Sequence, residues 1–419
     1  MNRFERLAAV CALLVMQAGA SAADDYAAAR AELVRAYQAE DFAAMIDAAH
    51  LALAARPGYP GARFNLALAH ALHGDTRTAL DELHALARDG VEFGVEDAAE
   101  FEALRQLPDW PAFTATVDRL RQPVGDAVVA AQLDDGRFVP EGIAVGDDGA
   151  VYLGSIHRGL IVRAGRGVDV VSEGRGHWSV FGMRFHDDGS LWFASAAVEQ
   201  FNEPGDDLGK TGLFRLDVES GEITHAAILP RVADRQVLGD LVIDGDGIYT
   251  TDSLTGALYR YDIGDGEYTT LVAAGTFNSP QGLVFDRTGE YLYVADYTGG
   301  LFRVRVDDGQ HERVRVTGGA SPYGIDGLYR HGDRLIAIQN GIRPHRVVSM
   351  RIAANGLETS DTRILAANLP AFDEPTLGAV RGDSFYFVAN SHWNRFDREN
   401  RLPDGLSGPI VLKLHLGAD

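Results

Sequence analysis

Two hydrophobic periods divide the chain. Over residues 24 to about 122, apolar residues recur at steps of three and four, as in Leu66-Ala67-Ala69-Ala71 and Ala79-Leu80-Leu83-Leu86. That spacing lines one face of a helix. Pro57 and Gly74-Asp75 interrupt it, so several short helices are predicted. From residue 126 onward the period becomes two. Six runs alternate aromatic or β-branched residues with others and end in small or polar ones: AVYLGS (150–155), SLWFAS (190–195), GIYTTD (247–252), YLYVAD (291–296), RLIAIQ (334–339) and SFYFVA (384–389). Polar turns such as Asp147-Asp148-Gly149 come before them. A further strand follows each one: GLIVRA, GLFRLD, GALYRYD, GGLFRVR, HRVVSMR and GPIVLKL. Aromatic and β-branched residues suit a half-buried sheet.

Six such units at roughly 40-residue spacing are the pattern of propeller blades. The expected fold is an all-β six-bladed β-propeller over residues 126–417, preceded by a small all-α helical domain over 23–122. A two-sheet sandwich is the rival, and six equivalent units argue against it. The ring must close, because an open edge invites aggregation. AVVAAQL (127–133) reads as an outer strand that pairs with GPIVLKL and completes the last blade. Within the helical region, FNLALAHALHGDTRTALDELHAL resembles a tetratricopeptide helix pair, and a weak 34-residue repeat runs through about two units. Two units bury little alone. They are expected to lean on the propeller or on a protein partner, as a structural cap or a peptide groove.

The amino terminus reads differently. Two Arg lie within Met1–Arg6, an apolar run spans Leu7–Met16, and Ala20-Ser21-Ala22 follows. This is the layout of a secretory signal, residues 1–22, cleaved near Ala22–Ala23. The apolar run is too short for a bilayer span, and no other segment resembles one. The only cysteine, Cys11, lies inside this segment behind Val10, which is too large for a lipoprotein signal. The mature chain then has no thiol chemistry, and export to the periplasm or beyond is expected. The 419 residues are 46% hydrophobic and 23% charged, ordinary for a folded protein of two or three domains. The net charge is −22, which repels phosphate backbones and argues against a nucleic-acid partner.

A propeller gathers the first residues of its innermost strands around one channel. Those strands open as PEGIAV (140–145), VFGMRF (180–185), LGDLVI (238–243), PQGLVF (280–285), PYGIDGLY (322–329) and EPTLGAV (374–380). The channel candidates are therefore Glu141, Phe181, Gly239 or Asp240, Gln281, Asp326 and Thr376. PEGIAVGDDGAVYLGS, GDLVIDGDGIYTTDSLTGALYRYD and SPQGLVFDRTGEYLYVADYTGGLFRV resemble blades of the regucalcin/gluconolactonase family, over about residues 126–415. That resemblance implies a divalent cation, with calcium expected, and hydrolysis of a small-molecule lactone or ester. Glu141-Gly142 and Asp326-Gly327 match the family's E-G and D-G ligand pairs. Gln281-Gly282 sits at an N-G position, and Gly239-Asp240 at an N-D position, where Gly removes a ligand and Asp240 is the substitute. The implied metal set is thus Glu141, Asp240, Gln281 and Asp326. Such a cation would polarise the carbonyl, and Asp326 would act as base on water.

His177-Trp178, Phe181, Tyr323 and Asn390 are candidates to line the substrate pocket. Asp252 and Asp296 occupy matching positions in two blades, which favours a structural task. The helical-region residues His50, His70, His73 and His84 do not share a helix face as a metal site would need. No G-x-S-x-G, P-loop or H-E-x-x-H motif is present. Two function classes follow: an exported lactone or ester hydrolase, and a non-catalytic binding protein of the cell envelope. Gly239 favours the second.

Overall fold

The computed structural model describes residues 22–417 apart from 166 and 175. The proposed signal segment with Cys11 lies outside the described residues, save for its last position. Among the described residues five α-helices come first: α1 (Ala22–Gln38), α2 (Phe42–Ala55), α3 (Pro60–His73), α4 (Thr76–Arg88) and, after a 3-10 segment at Ala99–Gln106, α5 (Trp110–Leu120). The breaks fall where the sequence places them. Asp41 caps α2 by accepting the Ala44 amide, and α3 ends on Gly74 in the left-handed conformation. Their apolar stripes meet in one core containing Leu33, Met45, Phe64, Leu80, Leu83, Phe101 and Phe113. Among the described residues, no helix is long and apolar enough to cross a membrane.

The rest is a ring of six antiparallel sheets, each of four main strands. The inner strands are Pro140–Val145, Ser179–Phe185, Leu238–Asp244, Pro280–Phe285, Ile325–His331 and Gly378–Arg381. The six alternating runs seen in the sequence are the second strands. In blade five a short strand, Arg315–Val316, adds itself in parallel to the outermost strand. Ring closure is as expected: Val128–Gln132 pairs antiparallel with Ile410–His415, Val129 opposite Leu412. Each blade buries one face against the next, so the core is a series of inter-blade layers.

The wall of the channel explains the x-Gly pairs. A Cβ on Gly142 would collide with the carbonyl oxygen of Phe181 on the neighbouring inner strand. One on Gly282 would collide with the Leu328 amide nitrogen. Glycine lets adjacent inner strands approach closely where the ring is narrowest.

The helical region docks on the face where the inner strands begin. Tyr323 Oη donates to Pro57 O at 2.5 Å, and Arg56 Nη2 to Asn278 Oδ1 at 2.9 Å. The fully buried Arg346 donates to Gly90 O at 2.8 Å and to Gln339 Oε1 at 2.8 Å. The Glu92 amide bonds Arg343 O, and Asn368 Nδ2 bonds Leu120 O. Ile342 of the propeller completes the helical core.

Candidate functional site

Three of the residues named from the sequence converge as carboxyls around the channel mouth: Glu141, Asp240 and Asp326, all more than nine-tenths buried. Each has a different partner. Glu141 Oε2 accepts the indole Nε1–H of Trp393 at 2.7 Å. Asp326 Oδ2 accepts Asn340 Nδ2 at 2.6 Å, and Asn340 Oδ1 in turn accepts the Tyr297 hydroxyl at 2.9 Å. Asp240 Oδ2 lies 3.1 Å from Arg184 Nη2, and its Oδ1 accepts the Leu241 amide. A fourth carboxyl, half-buried Glu374, accepts the Asn394 amide at 2.9 Å. Its backbone lies in the left-handed region, φ 64°, an uncommon conformation for glutamate that is held here by the mouth of blade six.

The electrostatics follow from these partners. Burial pushes Glu141 well above the usual carboxylate range, and the neighbouring Asp326 charge adds to it. The Trp393 hydrogen bond opposes the rise without cancelling it. Burial likewise raises Asp326 to about 7, against the lowering effect of Asn340, with Glu374 and Asp240 pushing it up. Desolvation disfavours the ionised form, and two carboxyls near each other cannot both ionise cheaply. Burial also raises Asp240, and the Arg184 charge opposes that rise without cancelling it. Close by, Thr376 Oγ1 is buried with no hydrogen-bond partner among the described residues. It is a polar atom available to a bound molecule. Phe181 and the Trp393 ring, 6.4 Å apart, give the mouth an apolar side.

Several candidates have other tasks. His177 is buried between blades, with Nε2 2.8 Å from Gly159 O and its ring against Phe193 and Phe214. It packs the blade interface rather than facing a substrate. Trp178 is half-buried and turns its indole Nε1–H to Asp207 at 3.1 Å. Tyr323 is a docking residue: its hydroxyl is spent on Pro57 O and its ring meets Tyr59 at 5.3 Å. Asn390 is a brace, accepting the Ile410 amide at 2.7 Å and donating to Gly408 O at 3.0 Å.

Asn390 belongs to a series. At the end of the second strand in every blade, a polar side chain ties down the backbone around the inner strand or the next loop: Ser155, Ser195, Asp252, Asp296, Gln339 and Asn390. Asp252 Oδ1 accepts the amides of Val237, Leu254 and Thr255; Asp296 Oδ1 accepts those of Ser279, Thr298 and Gly299. The structural task read for the two aspartates is what they perform.

The implied cation does not fit this donor set. Asp240 is committed to a guanidinium, and Gly239 supplies no side chain. Gln281 turns its Nε2 to Ser279 Oγ at 2.9 Å. Glu141 and Asp326 remain, and among the described residues no group of three or more His, Cys, Asp or Glu is arranged to hold a metal ion. Hard oxygen donors are present, but too few of them converge for a shell of six to eight. The residues missed in the sequence are Arg184, Asn340, Tyr297 and Glu374. Arg184 stood in the quoted inner strand VFGMRF, but nothing in that string said where its side chain would reach. The open clefts at Asp148–Arg163–Asp169 and at His225–Tyr261–Tyr268 lie on a turn and on outer strands, away from the channel mouth.

No family model and no curated protein sequence matches the chain. Its structure is similar to several solved propellers. Regucalcin from Agrobacterium tumefaciens, described as a calcium-binding protein, is 16% identical, with a TM-score of 0.48 over 68% of this chain and 93% of that one. A luciferin-regenerating enzyme is 14% identical, with a TM-score of 0.47 over 70% and 96%. Virginiamycin B lyase from Staphylococcus aureus is 14% identical, with a TM-score of 0.44 over 69% and 99%. Likeness at this level concerns the fold, and the chemistry of this chain has to be read from its own residues: a six-bladed propeller with a mouth of carboxyls on the face that carries the helical domain.

Proposed function

We propose that the chain is an exported hydrolase that opens a lactone or a related ester at the channel mouth by acid–base catalysis. One observation carries this reading. Glu141 and Asp326 are buried together with only neutral hydrogen-bond partners, so the proton affinity of each is raised, by burial first in both, while the indole of Trp393 opposes the rise at one and the amide of Asn340 at the other. Pairs of carboxyls whose environments separate their proton affinities are the usual source of one acid and one base. Asp326, near half ionised at neutral pH, takes a proton from water. The hydroxide formed attacks the carbonyl carbon. Glu141, in its protonated form, gives its proton to the alkoxide as the acyl C–O bond breaks. Asp326 then holds the proton and Glu141 has lost one, and exchange with solvent restores both. In this reading the partnerless Thr376 hydroxyl hydrogen-bonds the bound ester, and Phe181 with Trp393 covers its apolar part.

No step is routed through a cation. The test is hydrolysis of a lactone and aryl-ester panel by the chelator-treated chain. Asp326→Asn is expected to remove turnover, and full activity in that variant would sink the assignment.

The second reading, a non-catalytic binding protein, draws on Gly239 and on the firm capping of Glu141 by Trp393. It is separated by the same panel: a binder raises its melting temperature with a ligand it never turns over.

A further inference from the structure

One member of the implied metal set, Asp240, is paired with a side chain in the channel. Arg184 comes from the inner strand of blade two, Ser179–Phe185. Its Nη2 pairs with Asp240 of blade three at 3.1 Å. Its guanidinium carbon lies 5.3 Å from the ring centroid of Tyr329, on the inner strand of blade five. Blades two and five stand opposite each other in a ring of six. A side chain that starts on one and meets a ring on the other therefore crosses the channel. Its Nη1 donates back to Met183 O at 2.7 Å, which fixes the fork in place. Tyr329 is itself locked, because its hydroxyl accepts the Gly378 amide at 2.6 Å.

The sequence around Arg184 is shaped to admit this pair. A Cβ on Gly182 would stand 2.5 Å from Asp240 Oδ1, so only glycine lets the Asp240 carboxylate reach its position beside the inner strand of blade two. Asp240 is 2% exposed, and a buried carboxylate without a cation is costly. Either a metal or a fixed guanidinium can meet that need. Arginine meets it permanently, since it does not deprotonate.

We propose that Arg184 is the resident cation of this channel: it takes the place of the divalent ion, and the native chain binds none there. The guanidinium neutralises Asp240, bars a second cation by like-charge repulsion, and leaves Glu141 and Asp326 free of metal. The proposal does not rest on the hydrolase reading, because it concerns cation binding alone.

The test is a set of thermal melts of the full mature chain, stripped with chelator and then given calcium, magnesium or manganese. The native chain is expected to melt at the same temperature with and without each ion. Arg184→Met leaves Asp240 without its positive partner, beside Glu141 and Asp326 that have none, and is expected to gain an ion-dependent rise of several degrees, as a newly bound ligand gives. Arg184→Met combined with Asp240→Asn removes both charges. It is expected to fold and to gain no such rise. A native-chain rise that Glu141→Gln abolishes would overturn the proposal. So would an Arg184→Met chain that folds and shows no ion response. If Arg184→Met does not fold alone, calcium is expected to restore its fold, and failure to do so counts against the proposal equally.

Discussion

The carboxyl of Asp326 makes two opposite demands on pH. Its proton affinity is raised in the folded chain, so the fold holds a proton that the unfolded chain releases at lower pH. Stability is therefore full below the ordinary carboxylate range, and this contribution is lost as pH rises toward about 7. Activity runs the other way, because a base must be ionised. Turnover is expected to rise through about pH 7 while the melting temperature falls over the same window. Asp326→Asn should flatten that fall and lower hydrolysis by about a hundredfold or more, the usual contribution of a positioned acid or base. Melts and rate profiles from pH 4 to 9 check both arms. Trp393 gives a second handle. Its indole hydrogen bond lowers the Glu141 proton affinity, so Trp393→Phe should raise it and move the alkaline limb of the rate profile upward. An alkaline limb that stays put would show that Glu141 is not the acid.

The second strand of each blade does more than fill a layer. Its last polar residue accepts or donates to the backbone that leads into the channel, and this sets where the inner strand starts. Asp296 alone receives the amides of Asn278, Ser279, Thr298 and Gly299. Asp296→Ala would orphan several buried donors, at about 1–3 kcal/mol for each one that water cannot reach. A loss of several degrees in melting temperature is expected, with Asp296→Asn losing less because it keeps one acceptor. These strands were legible because a period of two and a recurring small or polar terminus both survive in a single sequence. The matching Asp252 and Asp296 could be read as braces for the same reason. Asn390 is a candidate for the mouth in the sequence because an asparagine there suits a ligand as well as a brace, and only its contacts with Ile410 and Gly408 distinguish the two. The task of His177 is not legible in the sequence, because a buried histidine between phenylalanines looks the same there as one on a rim.

The ring and its closure were also legible, since both follow from counting equivalent units. The placement of the helical domain was not. Its contacts join residues far apart in the chain, such as Arg346 with Gly90 and Asn368 with Leu120, and no local pattern announces them. The same holds for the channel: Arg184, Asn340 and Trp393 reach Asp240, Asp326 and Glu141 from other blades or loops. Docking covers Tyr323, Ile342 and the Arg346 guanidinium. A chain lacking residues 22–122 should therefore melt at lower temperature and aggregate more readily, since it bares apolar surface and leaves a buried cation half-partnered. An unchanged melt would mean that the helical domain rests on the propeller without supporting it.

The most direct test of the acid–base account is the hydrolysis of lactones and aryl esters by the chelator-stripped chain beside Asp326→Asn. The account predicts saturable turnover that survives the chelator, rises through about pH 7 and is lost in the variant. Turnover that appears only when calcium is returned, or that Asp326→Asn leaves intact, would contradict it.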